Sequence, residues 1–247
     1  MAQPVCEKCG GTGWIIVERE GLSGAERCGC VQESRTQKLE ENAGIPPLYE
    51  KAGFETFNAH GNAELQKVML DVASYAREYP VLPKPGLLFI GEPGTGKTHL
   101  AVAALRRLIA RGFEGVFCDY QNLLDRIRAS YDQGSGASDR EAYRTALESE
   151  ILVLDDLGAH RVTEWVEDIV TAIVTYRCNH RKALIVTTNL PDADAGDRLV
   201  ERSSALPGKM DYRISLVDRI GIRARSRLSE MCRIVKMPAV GDYRARK

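Results

Sequence analysis

No stretch of the 247 residues approaches the roughly 20 consecutive apolar residues that a bilayer crossing requires. The opening Met1-Ala2-Gln3-Pro4-Val5-Cys6 has neither the cationic start nor the apolar core of a secretory leader. These absences set the expectation of a cytoplasmic chain with no membrane partner. Net charge is also lacking, since 34 Lys and Arg balance 34 Asp and Glu, and the total gives no hint of nucleic-acid binding. Its distribution is less even: from Arg198 to Lys247 there are thirteen Lys and Arg against five Asp and Glu, so the remainder is acidic. A basic segment of this kind can face phosphate or simply be a solvated helix face.

Cysteine is sparse through the body of the chain. Of seven, Cys118, Cys178 and Cys232 are scattered, while Cys6, Cys9, Cys28 and Cys30 fall within the first thirty residues. In a cytoplasmic chain such a cluster suggests a metal before disulfides. Two close pairs can supply four thiolates to tetrahedral Zn²⁺, with glycines beside each pair allowing the tight turns. The second pair is C-x-C where the commonest ribbon has C-x₂-C, and a redox pair or unliganded thiols are the competing readings. Between the pairs, Trp14 to Arg19 and a turn at Gly21-Leu22-Ser23-Gly24 predict a hairpin. A piece this short has too little core to fold alone, so metal binding supplies its folding free energy. Trp14, Lys8 and Arg19 suit contact with single-stranded nucleic acid, but Trp14 is read first as the module's core residue.

With 44% hydrophobic and 28% charged residues, the chain is ordinary for a globular protein and long enough for one sizeable domain plus an appendage. The polar helix formers from Val31 to Asn42 end at Ala43-Gly44-Ile45-Pro46-Pro47, which stops a helix. The expected organisation is a zinc-binding module over 1–32, a helical and Pro-rich linker over 33–58, and an α/β domain over 59–247. Ala63 to Tyr79 carries Leu65, Val68, Met69, Val72, Tyr75 and Ala76 at helical spacing.

Beyond Gly86, apolar runs alternate with helical patterns: Leu87–Ile90, Gly115–Asp119, Ile151–Leu154 and Ala183–Val186, with a helix from about Gln121 to Tyr131 and a loop at Gln133–Ser138. The alternation predicts a parallel sheet between helices, with ligands at the carboxyl ends of the strands. At the end of the first run stands Gly91-Glu92-Pro93-Gly94-Thr95-Gly96-Lys97-Thr98, which matches G-x-x-x-x-G-K-[ST] at every specified position, and His99 follows. The backbone of such a loop wraps phosphate, and the helix start adds its positive dipole end. Lys97 reaches the β- and γ-phosphates and Thr98 ligates Mg²⁺. Residues 91 to 99 are therefore the expected ATP-binding set. The third run ends in Asp155-Asp156: Asp155 is placed to complete the Mg²⁺ shell, and Asp156 to orient the attacking water. Asn189 ends the fourth run, either within reach of the γ-phosphate or as a turn residue.

The phosphate loop, Ile151 to Gly158, Thr187-Thr188-Asn189, Asp218-Arg219-Ile220 and Gly241-Asp242-Tyr243-Arg244, in that order, resemble the AAA+ ATPases of the DnaC/DnaI helicase-loader and IstB transposition-helper group. The resemblance spans roughly Ile45 to Lys247, and the cysteine module resembles the zinc-binding front end of DnaI-like and phage loaders. It implies Asn189 as sensor 1, Arg244 as sensor 2, and Arg219 as an arginine acting on a neighbouring subunit's nucleotide, with Arg223 and Arg227 as competitors. It implies head-to-tail self-assembly, a DnaB-type replicative helicase as partner, and single-stranded DNA contacts from Arg126, Arg128, Arg140 and Arg144 with Tyr131 or Tyr143 for stacking. Asp156, where many related ATPases have Glu, implies slow hydrolysis. An IstB-type helper acting on duplex DNA and a nucleotide-gated adaptor with negligible turnover are the alternatives.

Overall fold

The computed structural model describes residues 6–19, 22–59, 61–130, 137–159, 162–202 and 210–243, excluding the side chains of 22, 137–140, 200–202 and 210–212. Its first unit is an antiparallel hairpin, β1 (Trp14–Arg19) and β2 (Leu22–Arg27). Arg19 pairs with Leu22, so Leu22 to Gly24, expected as a turn, are strand residues. Helix α1 (Gly29–Asn42) follows directly, and a single 3₁₀ turn lies at Pro47–Tyr49.

A βα alternation then runs α2 (Ala63–Glu78), β3 (Gly86–Ile90), α3 (Lys97–Ala110), β4 (Gly115–Asp119), α4 (Tyr120–Ala129), α5 (Ala137–Glu148), β5 (Ile151–Asp155), α6 (Glu164–Asn179) and β6 (Ala183–Thr188). A small antiparallel pair, β7 (Val200–Arg202) and β8 (Met210–Tyr212), precedes α7 (Leu216–Met231) and β9 (Cys232–Lys236). Strands β3, β4, β5, β6 and β9 form one all-parallel sheet in the order β4-β5-β6-β3-β9. The middle strands are buried along their whole length, as continuous apolar runs covered on both faces require.

One face is covered by α2 and α3 through Leu65, Val72, Tyr75, Leu100, Leu105 and Leu108. The other is covered by α4, α6 and α7 through Leu124, Ile127, Val170, Ile173 and Leu228. Arg177 is fully buried in that second layer and donates to the carbonyls of Ala146, Leu147, Glu150 and Ala183, tying the end of α5 to the sheet. Burial pulls its guanidinium down to about 10.

Asn62, Asp119, Thr163 and Ser215 cap α2, α4, α6 and α7 with side-chain oxygens, the last in a reciprocal box with Asp218. No side chain caps α3: its N-cap is Gly96, at φ 93°. The first N–H groups of α3 are thereby left for a ligand. Helix α7 is broken at Gly221, whose φ of 77° and ψ of 156° are not helical.

The sheet order places a switch at β3, because α3 leads away to the far strand β4 while β6 and β9 flank β3 directly. Such a switch opens a crevice at the carboxyl ends of the strands. Among the described residues, no helix is long and apolar enough to cross a membrane.

Candidate nucleotide site and cysteine centre

The residues that end β3, β5 and β6 converge because the register sets them side by side: Ile90 is level with Thr188, and Leu154 with Val186. Thr187 lies fully buried between the two acidic positions. Its Oγ1 donates to Asp155 Oδ1 (2.6 Å) and accepts from the Asp156 amide (2.9 Å). Thr188 Oγ1 donates to the Leu157 carbonyl at 2.9 Å, so the two threonines fix the backbone after β5. Asp156 sits at φ 54°, a left-handed conformation that Asp tolerates better than most residues. That bend carries its carboxylate to Asn189 Nδ2, 3.1 Å away.

Lys97 is buried and its Nζ donates to the carbonyls of Gly91 and Glu92 (2.8 Å each) and to Asn189 Oδ1 (2.6 Å). Lys97, Asn189 and Asp156 thus form one chain of polar contacts along the strand ends. The Thr98 hydroxyl is close enough to Asp155 to favour its ionised form. Burial raises the Asp155 carboxyl, with Asp156 adding to the rise and the Thr187 and Thr98 hydroxyls opposing it. A buried carboxylate beside a hydroxyl, with a second carboxylate adjacent, is a donor set of hard oxygens that fits Mg²⁺.

A cleft of about 850 Å³ opens in front of this row, lined by residues 93–99, Asp156 and Asn189 on one side. Two further walls have no local sequence signature. One is the segment 48–58, expected as linker, with Ala59 just after it, which together bring Leu48, Tyr49, Phe57 and Ala59 to the cleft. The other is the chain after β9, which brings Val240 and Tyr243. The Tyr243 amide donates to the Gly94 carbonyl at 3.2 Å, and the Asp242 carboxylate lies where any side chain on Gly94 would start. Gly94, at φ 75°, is thus held to glycine twice over, by backbone conformation and by the tail packed on it.

At the other end of the chain, the Sγ atoms of Cys6, Cys9, Cys28 and Cys30 all lie within 4.8 Å of one another. Cys6 to Cys28 is 3.8 Å and Cys9 to Cys30 is 3.5 Å. Four thiolates on one Zn²⁺ at about 2.3 Å stand roughly 3.8 Å apart, so the cluster has the size of a zinc site. The C-x-C spacing is explained by where α1 begins. Cys28 is its extended N-cap and Cys30 lies in its first turn, so the change of backbone conformation between them turns both sulfurs to one side. The Gly13 amide donates to Cys9 Sγ at 3.4 Å and is the main reason that thiol falls to about 6. Cys30 moves the opposite way, raised by its neighbours Cys28 and Cys9. Four thiols this close cannot all ionise without a cation, and the donor set fits zinc. Trp14 is not a core residue: it is 52% exposed, with the Arg27 guanidinium over its ring at 5.6 Å.

Residues 33–206 match the family model of the IstB-like ATP-binding proteins. The chain belongs to that family. The crystal structure of the DnaC helicase loader superposes with a TM-score of 0.62 at 31% identity, covering 78% of this chain and all of that one. The DnaC replicative helicase loader of Escherichia coli K12 is 24% identical over 77% of this chain and 80% of its own, and the YdaV protein of the same strain is 28% identical over 72% of each. The fold is that of the AAA+ ATPases of the DnaC/DnaI and IstB group, with the cysteine centre in front of it.

Against this family background, the arginines on α7 separate. Arg219 is half-buried, with its Cβ and Cγ packed beside Gly158 just after β5. Arg223, one turn on, is exposed. Arg225 is buried and bonded to Asp192 at 2.5 Å, and Arg227 pairs with Glu230 at 2.7 Å. Asp218 serves the helix cap. Of the candidate DNA-facing residues, Arg126 is exposed, Arg128 stacks over Trp165 at 4.7 Å, and Arg144 pairs with Glu148 at 2.9 Å. Tyr143 packs against the core. Arg244, Tyr131, the Arg140 side chain and residues 133–136 of the expected loop over 133–138 lie outside the described residues, while Ala137 and Ser138, expected in that loop, begin α5.

Proposed function

We propose that this protein is a cytoplasmic, ATP-hydrolysing helicase loader that engages a DnaB-type replicative helicase and helps place it on single-stranded DNA. The observation that supports this most is the match to the whole length of the DnaC helicase-loader structure, together with a cleft lined by residues 93–99, Asp156 and Asn189.

In this reading the phosphate loop holds the triphosphate, and Lys97 moves from Asn189 and the loop carbonyls to the phosphate oxygens. When bound, Mg²⁺ neutralises charge on those oxygens, and Thr98 with Asp155 would hold it. Asp156 orients the attacking water, and Asn189, bonded to it, senses the γ-phosphate. The shorter arm of Asp156 makes turnover slow. The arginine acting on a neighbouring subunit is Arg219, with the exposed Arg223 on the same helix as its rival. Arg244 completes the site from within. Assembly is head-to-tail, which makes hydrolysis depend on a neighbour. Arg126, Arg128, Arg140 and Arg144, with Tyr131 or Tyr143, face the DNA, and the zinc module is a docking unit.

A second reading, a transposition helper acting on duplex DNA, is favoured by the IstB-like family model. ATPase assays distinguish them: the loader reading expects stimulation by single-stranded DNA and co-purification with a co-encoded replicative helicase. Stimulation by duplex alone, with capture of a transposase instead, overturns it. Negligible turnover under every condition leaves the nucleotide-gated adaptor.

A further inference from the structure

The cleft has a phosphate end and an apolar end, and one side chain is bonded across from the first to the wall of the second. His99 is the third residue of α3, immediately behind the phosphate loop. Its Nε2 lies 2.8 Å from the Gly53 carbonyl and 3.4 Å from Thr56 Oγ1. A carbonyl can only accept, so Nε2 carries the proton in this bond. The turn it grips is closed on itself: Thr56 Oγ1 accepts from the Gly53 amide (2.9 Å) and donates to the Lys51 carbonyl (2.8 Å).

Phe57 follows that turn and packs edge-on against the His99 ring, with centroids 5.4 Å apart. Its Cε2 stands 2.7 Å from where a Cβ on Gly96 would be, so the ring lies directly on the phosphate loop. The apolar end of the cleft is made by this segment with Tyr49, Ala59 and Val240. Residues 93–98 take the phosphates, which leaves the apolar end for the flat base of the nucleotide.

We infer that His99 is a positioning residue for the nucleobase: by holding the Gly53–Phe57 turn on α3, it fixes the base-binding wall in register with the phosphate loop. It thereby sets the share of nucleotide affinity that comes from the base. This rests on the ATP-binding reading of the cleft.

The test is titration calorimetry of ATP and of inorganic tripolyphosphate, each with Mg²⁺, on the full chain and its variants. His99→Ala is expected to weaken ATP about tenfold, the scale of one well-made hydrogen bond, and to leave tripolyphosphate within about twofold. His99→Gln, whose amide N–H can reach the same carbonyl, is expected to restore ATP affinity. Thr56→Ala loosens the same turn from the wall side and is expected to reproduce the base-selective loss even where His99→Ala folds poorly. Equal weakening of both ligands by His99→Ala and Thr56→Ala overturns the inference, as does unchanged ATP affinity in both. Failure of the unmodified protein to bind either ligand overturns the nucleotide reading beneath it.

Discussion

Lys97 Nζ lies 2.6 Å from Asn189 Oδ1, and the amide nitrogen of the same Asn189 donates to Asp156 at 3.1 Å. In the proposed reading, the lysine that meets the phosphates and the acid that orients the water are thus joined through one side chain at the end of β6. On that reading an arriving γ-phosphate would compete for Lys97 and release Asn189 Oδ1, and occupancy of the phosphate loop would be communicated to Asp156.

Asn189→Ala removes that link while sparing the loop carbonyls that also hold Lys97. Hydrolysis is expected to fall about 100-fold, the cost of losing one positioned polar group at a reacting centre, while ATP affinity changes by only a few fold. Single-turnover rates alongside equilibrium binding measure both quantities. Parallel losses in the two would make Asn189 a binding residue instead.

Asp156→Glu extends the water-orienting arm by one methylene. The single-turnover rate is expected to rise, with a small fall in Tm because a residue other than Asp, Asn or Gly is less at ease at φ 54°. A rate that stays level or drops places the slowness elsewhere than in the arm.

Much of this site is legible in the sequence because strand-end chemistry is local. The four apolar runs, the loop from Gly91 to Thr98, Asp155 and Asn189 each stand in a short pattern, and parallel pairing then brings them together. The cysteine cluster is legible for the same reason. What escapes is non-local or lacks periodicity. Strand β9, Cys-Arg-Ile-Val-Lys, is a short mixed run without strict alternation and follows a helix with no turn signal. Helix α6 and the buried Arg177 leave no motif. Residues 48–58 read as linker because they follow Pro46-Pro47 and are short of helical period, yet Ala52 is buried and Phe57 lies on the phosphate loop. The fate of each arginine on α7 depends on which way a helix broken at Gly221 faces, which spacing alone does not determine.

The Arg225–Asp192 pair is buried on both sides, at 2% and 0% exposure. It joins α7 to the segment just after Asn189. Arg225→Met strands the Asp192 carboxylate and is expected to cost about 3–5 kcal/mol in urea unfolding, whereas combining it with Asp192→Leu recovers most of the loss. Additive losses in the double variant would show that the two residues stabilise the fold independently.

Removal of metal is expected to unfold residues 6–30 and leave the sheet domain standing, because the hairpin has little core of its own. The protein as purified should carry one zinc per chain. Its four clustered thiols should react with a thiol reagent only after chelation, and the main calorimetric transition should persist. Fast reaction of those thiols before chelation, or collapse of the whole transition on chelation, contradicts a separate structural zinc centre.

The proposed role of the ATP cleft is to place a helicase ring on DNA. The direct measurement is the amount of a co-encoded DnaB-type helicase retained on closed circular single-stranded DNA, which offers no free end for threading. This protein with Mg²⁺ and ATP is expected to raise retention well above helicase alone, and Lys97→Ala to abolish the gain. Retention unchanged by the protein, or raised equally by Lys97→Ala, would contradict that role.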